Sequence, residues 1–380
     1  MKINDVPRKN LQFHAFLLFF AISSAQIGVG IFSFQRSIFQ ACGHIAWIAV
    51  IIAGLIAHLI LWSIIKILQK YESTDLFGIH YDIFGKYAGG VLNILFLFQY
   101  ICTIVAIMRN YIEIIQVWIF PDIPSWVVII LLSILTFYTS SGGIRVILGV
   151  CVIQFTIILM TVLLSFSPLE YAVWNQLLPI EVDNIKDLIN GVMRMGFSLA
   201  GFEVVWFLYP FVRNKQKAML HAHHSLGFTN IVYLFLTIVS LVYFSADQLQ
   251  EGLWPSIDIL KIVKYTYLER IEFIVISIWM VVTMSGLALF IWIIGRGCKR
   301  MWNLKPNMIA IITLMLAFVV NINIDEHVEI KQLNAFIGMQ VIASTFIYPV
   351  LLSFIVMIVH SYRQRKNNKG GQQHESMEDI

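Results

Sequence analysis

Ten stretches of this chain are too apolar to sit among the elements of a water-soluble core, at about 11–35, 44–65, 88–118, 125–138, 146–166, 189–211, 225–245, 270–295, 307–321 and 334–360. A helix needs roughly 20 apolar residues to cross the hydrocarbon of a bilayer, and most of these runs supply them. Residues of hydrophobic type make up 59% of the chain and charged ones 13%, with a mean hydropathy of +0.79. Such a composition leaves too little polar surface to solvate a compact soluble body. The expectation is an all-α integral membrane protein with ten transmembrane helices. The shortest run, VVIILLSILTFY, spans only with help from its flanks.

Lys and Arg set the orientation of such a bundle. Most of the 26 fall in alternate loops: Lys2, Arg8 and Lys9; Lys66, Lys70 and Lys86; Arg145; Arg213, Lys215 and Lys217; Arg296, Lys299, Arg300 and Lys305; and Arg363, Arg365, Lys366 and Lys369. Both termini are therefore expected in the cytoplasm. A basic start, an apolar run and Ser23-Ser24-Ala25 resemble a cleavable signal peptide. Cleavage after Ala25 would strand a Gly-rich remnant and break the loop alternation, so the segment is read as the first span. Cys42, Cys102, Cys151 and Cys298 stand singly, which suits packing better than a disulfide framework or a zinc site.

The organisation expected is a cytoplasmic N-terminus over 1–10, one five-helix repeat over 11–166, an extracytoplasmic connector over 167–188, a second repeat over 189–360 and a tail over 361–380. The connector and the loop 246–266, with Pro168, Trp174, Pro179, Trp254 and Pro255, read as interfacial lids. The tail is polar, basic at its start and Gly-rich, which favours disorder near anionic lipid.

Five is an odd number, so the second repeat must lie upside down relative to the first. Inverted five-helix repeats, with the leading helix of each broken at mid-membrane, are the plan of a large transporter fold, the LeuT-like fold. The sequence offers one interruption in each half: AQIGVGIFSF in span 1 and GFSLAGFEVVWF in span 6. A break frees backbone groups that hydrocarbon cannot satisfy, and the N-terminus of the half-helix that follows suits a carboxylate. Gly28 to Gly30 and Gly196 to Gly201 form the expected ligand cradle, with Gln26, Ser33 and Ser198 adding side-chain hydrogen bonds. The competing reading is that these glycines only let helices pack closely.

Charges at membrane depth are costly and functional by default. Glu203 follows Gly201 by two residues and reads as a proton carrier, a gate anchor or a neutral acid bonded to a neighbouring helix. Arg109 and Glu113 lie one turn apart on span 3, suited to gating or to an outer vestibule, while Arg194 and Glu272 fall near outer helix ends. Tyr100, Thr103, Thr283 and Ser285 lie near mid-depth and either line the same cavity or bond helix to helix. His58 inside span 2 reads as a proton relay or as a histidine bonded across helices. The cluster HAHH at 221–224 reads as a cytoplasmic interface rather than a metal site. GFSLA superficially matches an intramembrane serine-protease pattern, yet spans 7 to 10 hold no histidine at membrane depth to act as its base. No HExxH, GxSxG or phosphate-binding P-loop occurs. Neither enzymatic activity, nor a metal or organic cofactor, nor a nucleic-acid partner is expected.

The segments QIGVGIFSFQR, FYTSSGGIRV, FSLAGFEVVWFLYPFV and YLERIEFIVISIWM, in this order and spacing, resemble the B subunits of nutrient germinant receptors of endospore-forming bacteria. That family is similar to the amino acid, polyamine and organocation transporter superfamily. The resemblance implies a germinant-sensing subunit in the spore's inner membrane, assembled with a larger A subunit and a C-subunit lipoprotein. It places the ligand region on Gly28, Val29 and Gly30 and on Ser198, Leu199, Ala200 and Gly201. Arg145 comes earlier after the Gly-Gly turn than is usual in the family. The rival expectation is a proton-coupled amino acid permease with Glu203 as its carrier.

Overall fold

The computed structural model describes residues 6–71, 73–178, 184–263, 270–324 and 326–378. Lys2, Pro179, Lys264 and residues 267–269 of the YLERIEF stretch lie outside the described residues, as do the side chains of 364–380. The described chain is helical almost throughout, with one isolated parallel bridge between Phe13 and Val212.

In chain order the helices are α1 (Phe16–Gln26), α2 (Phe34–Cys42), α3 (Ala46–Tyr71), α4 (Leu76–Trp118), α5 (Ser125–Ser141) and α6 (Ile144–Leu164), then α7 (Ile185–Leu199), α8 (Val205–Leu208), α9 (Ala218–Tyr243), α10 (Ala246–Glu251), α11 (Pro255–Leu260), α12 (Ile271–Trp302), α13 (Pro306–Ile322), α14 (His327–Ile342) and α15 (Tyr348–Glu378). Every apolar run of the sequence coincides with a helix or an interrupted pair. Among the described residues six helical stretches are long and apolar enough to cross a membrane, and α7 with Phe202–Phe211 makes a further broken span, bent by 46°. α1, α5 and α13 are shorter apolar helices. The run VVIILLSILTFY lies within α5, whose 17 residues reach about 26 Å at 1.5 Å per residue, slightly short of the hydrocarbon thickness. α15 continues through most of the stretch expected to be a disordered tail.

Three local features shape the bundle. Gly85 adopts φ 75° inside α4, a conformation open chiefly to glycine, and turns a short leading segment back against the rest of the helix. Asp75 caps that segment by accepting from the Gly78 amide at 3.2 Å, and it holds Arg296 at 2.9 Å and Arg300 from α12. A buried chain links His80 to Asn93 and to Tyr348, each at 2.6 Å. Burying three polar groups in a membrane interior is tolerable because each has a partner.

The main core gathers α1, α3, α4, α8, α9 and α12 around fully buried Trp206, Trp279, Tyr233 and Phe207. α1 packs against α6, α9 and α12, and α7 packs against α2 and α3. The first interrupted helix therefore sits inside the bundle, whereas α7 packs one face against α2 and α3 and leaves Ile185, Ile189 and Met193 exposed on the other.

Candidate functional site

Both interruptions fall where glycine and polar residues break the apolar pattern, and they meet. α1 stops at Gln26, Ile27 is extended, and a 3-10 turn over Val29–Phe32 leads into α2. α7 stops at Leu199, Ala200 is extended, and Gly201 turns the chain at φ 119° into the 3-10 turn Phe202–Val204. A β-carbon on Gly201 would lie 2.5 Å from the Ala25 carbonyl oxygen and 2.8 Å from the Gln26 nitrogen. Only glycine allows this backbone-to-backbone contact.

Each break is then stitched by named groups. The Gln26 side chain donates from Nε2 to the Leu199 carbonyl at 2.6 Å, and the Gln26 carbonyl accepts from the Tyr233 hydroxyl at 3.3 Å. Gln154 of α6 donates to the Ile27 carbonyl at 3.0 Å and accepts from Ser285, which accepts in turn from Ser24 at 3.0 Å. Buried Glu203 accepts from the Gly201 amide at 2.7 Å, so the second break supplies its own carboxyl cap. The first break supplies none. The amides of Gly28, Val29 and Gly30 have no hydrogen-bond partner among the described residues. Successive free N–H groups of this kind form a concavity suited to an anion.

The residues bearing these amides line a cavity of about 320 Å³, the volume of a small-molecule site. Of the residues singled out in the sequence, Gln26, Gly28, Val29, Gly30, Ser33, Tyr100, Thr103, Ser198, Gly201 and Glu203 line it. Arg194 lines it as well and donates to the Ser37 carbonyl at 3.0 Å. A β-carbon at Gly28 or Gly30 would meet nothing within 4 Å, so these glycines keep space and backbone access rather than helix packing.

Other singled-out residues lie elsewhere. Leu199 is buried in the core and takes part through its carbonyl alone. Thr283 does not line the cavity; its hydroxyl donates to the Trp279 carbonyl within α12 at 3.0 Å, the usual resting place of a threonine hydroxyl on an apolar helix. Arg109 donates to Ser125 at 3.2 Å and Glu113 lies 2.6 Å from His327 Nδ1, so both staple α4 to its neighbours beside the cavity. Glu272 is buried against Arg270 at 3.1 Å. His58 Nδ1 lies 2.8 Å from His223 Nδ1, a contact across α3 and α9. Arg145 reaches the Gln12 carbonyl at 3.2 Å.

Sequence reasoning missed Gln154, Asn110 and Asn334, all of which hold this region together. Gln154 stands among apolar neighbours, an isolation that would have found it; Asn110 beside Arg109 and Asn334 beside Lys331 and Gln332 carry no such signal.

A cavity bounded by two interrupted helices and lined by apolar and polar side chains is the architecture of a transporter-type membrane protein. The chain superimposes on a Na+-coupled sialic acid symporter solved in a substrate-bound outward-open state, with a TM-score of 0.62 over 90% of this chain and 79% of the other, at 14% identity. It belongs to the permease-like family described as spore germination protein, whose family model matches residues 12–330. Among curated proteins it is similar to spore germination protein GerQB of Bacillus cereus, 30% identical over 90% of this chain and 94% of that one. It is also similar to spore germination proteins YndE, over 75% of this chain and 80% of that one, and B2, over 68% and 71%, both of Bacillus subtilis strain 168 and both 22% identical.

Proposed function

We propose that this protein is the ligand-sensing membrane subunit of a spore germinant receptor. In this reading it crosses the spore's inner membrane ten times with both termini in the cytoplasm. A small nutrient, an amino acid or a related molecule, binds between the two interrupted helices. Its anionic group rests on the Gly28, Val29 and Gly30 amides, and its body fills the space bounded by Tyr100, Thr103 and Ser198. The observation that carries the reading is the run of three residues with unpartnered amides in the lining of a cavity of ligand size. A ligand that binds one packing of the bundle better than another shifts their populations by its differential affinity. Partner subunits, a larger A subunit and a C-subunit lipoprotein, read that shift.

The deciding experiment is thermal stabilisation of the purified protein across a panel of amino acids and nucleosides, since a ligand bound only by the folded state raises its stability by mass action. Stabilisation by a member of the panel, abolished in Gly30→Leu, is the expected result. An unchanged response in Gly30→Leu would point to a purely structural scaffold.

A second reading, a proton-coupled amino acid permease, is favoured by the place of Glu203, buried yet lining the cavity. Uptake of labelled amino acid into proteoliposomes, lost in Glu203→Gln, would select it. A deletion strain that loses nutrient-triggered germination without an uptake defect would select the receptor.

A further inference from the structure

Two asparagines that sequence reasoning passed over meet at the wall of the cavity. Asn110 of α4 donates from Nδ2 to Asn334 Oδ1 at 2.8 Å, and Asn334 of α14 donates back to Asn110 Oδ1 at 2.9 Å. Asn110 also donates to the Ala106 carbonyl at 2.7 Å. That carbonyl fixes which end of Asn110 is nitrogen, and the reciprocal pair then fixes Asn334. An asparagine amide offers two donors and an oxygen with two lone pairs. Asn110 has spent both donors, whereas Asn334 retains one N–H beyond the pair.

Both side chains are half-buried and line the cavity together with Ile337 and Val341, which follow Asn334 at helical spacing along one face of α14. Ile337 and Val341 form a small apolar cluster with Ala106, separate from the main core. Beyond them α14 runs into a π-turn over Ala343–Ile347, a helix irregularity common at functional sites. The wall of the cavity on this side is thus one neutral amide pair set in apolar surface.

We infer that the Asn110–Asn334 pair determines ligand specificity by reading an uncharged hydrogen-bonding group on the ligand, a carboxamide or hydroxyl, through the spare capacity of Asn334. The inference rests on the proposed ligand site. A neutral amide pair matches such a group but offers no countercharge, so it selects against a charged side chain at this wall; the basic and acidic residues of the lining, Arg194 and Glu203, belong to the second interrupted helix. An apolar side chain fits with less gain, because it leaves the Asn334 donor unmatched.

The test is thermal stabilisation of the purified full-length protein in detergent, titrated with glutamine, asparagine, serine and a purine nucleoside against alanine, valine and leucine. The wild type is expected to rank at least one polar probe above the apolar set. Asn334→Leu is expected to weaken that probe about tenfold, the cost of one lost neutral hydrogen bond, while leaving apolar probes as they were or tighter. Asn334→Asp keeps the size of the side chain and serves as the second variant should Asn334→Leu fail to fold; it is expected to lose the polar preference and gain binding of lysine. A wild type that ranks leucine first, or variants that keep the wild-type ranking, overturns the inference while leaving the cavity a ligand site. If no probe stabilises the wild type, the ligand reading of the cavity falls and this inference falls with it.

Discussion

The two interruptions perform the same topological task and are built in opposite ways. At the break between α1 and α2, the glycines stand in open space and three amides are unmet. At the break between α7 and α8, Gly201 is pressed onto the backbone of Ala25 and Gln26, and its amide is met by Glu203. One is a cradle and the other a buttress. The difference teaches that glycine in a broken membrane helix has two distinct uses, access and close contact. A β-carbon placed on each position tells them apart.

That contrast can be broken by substitution. The largest effect is expected at the buttress: Gly201→Ala combines a left-handed backbone with a backbone clash and should destabilise the fold by about 3 kcal/mol or more, read as loss of monodisperse protein in detergent. Next comes Gln154→Leu, which leaves the buried Ile27 carbonyl unpaired and should cost about 1–3 kcal/mol, read as a lower unfolding temperature. Glu203→Gln should cost no more than about 1 kcal/mol, because a glutamine oxygen still accepts from the Gly201 amide as a neutral hydrogen bond. If that variant instead unfolds, the negative charge itself holds the buttress. Smallest in stability is Gly30→Ala, expected within about 0.5 kcal/mol of wild type, as for a change without strain or lost contact. Its effect should appear instead as weakened ligand stabilisation. Equal destabilisation by Gly30→Ala and Gly201→Ala would erase the distinction between the two breaks.

Much of this was legible in the sequence for a physical reason. Broken helices leave a local signature, because glycine and polar residues cannot be scattered through an apolar run without cost. AQIGVGIFSF and GFSLAGFEVVWF therefore announced both breaks, and most residues drawn from them do line the cavity. What escaped were pairings set by tertiary structure. Asn110 and Asn334 are 224 residues apart, and no local pattern joins them. Glu203 was legible as a buried acid but not as the cap of Gly201, since that bond depends on the turn Gly201 makes. Thr283 and Arg109 were placed near mid-depth or the vestibule by counting along a helix, and counting fixes depth but not the face presented. The mapping of Glu113 to His327 likewise required the position of α14.

The short bridge between Phe13 and Val212 has a mechanical consequence. Phe13 donates to the Phe211 carbonyl at 3.0 Å and accepts from the Arg213 amide at 2.8 Å, while deeper in the bundle Gln26 grips Leu199. The segment entering the first interrupted rod is thus tied to the segment leaving the second, and the two breaks are tied again at Gln26, so displacing one rod against the other must stretch both sets of bonds.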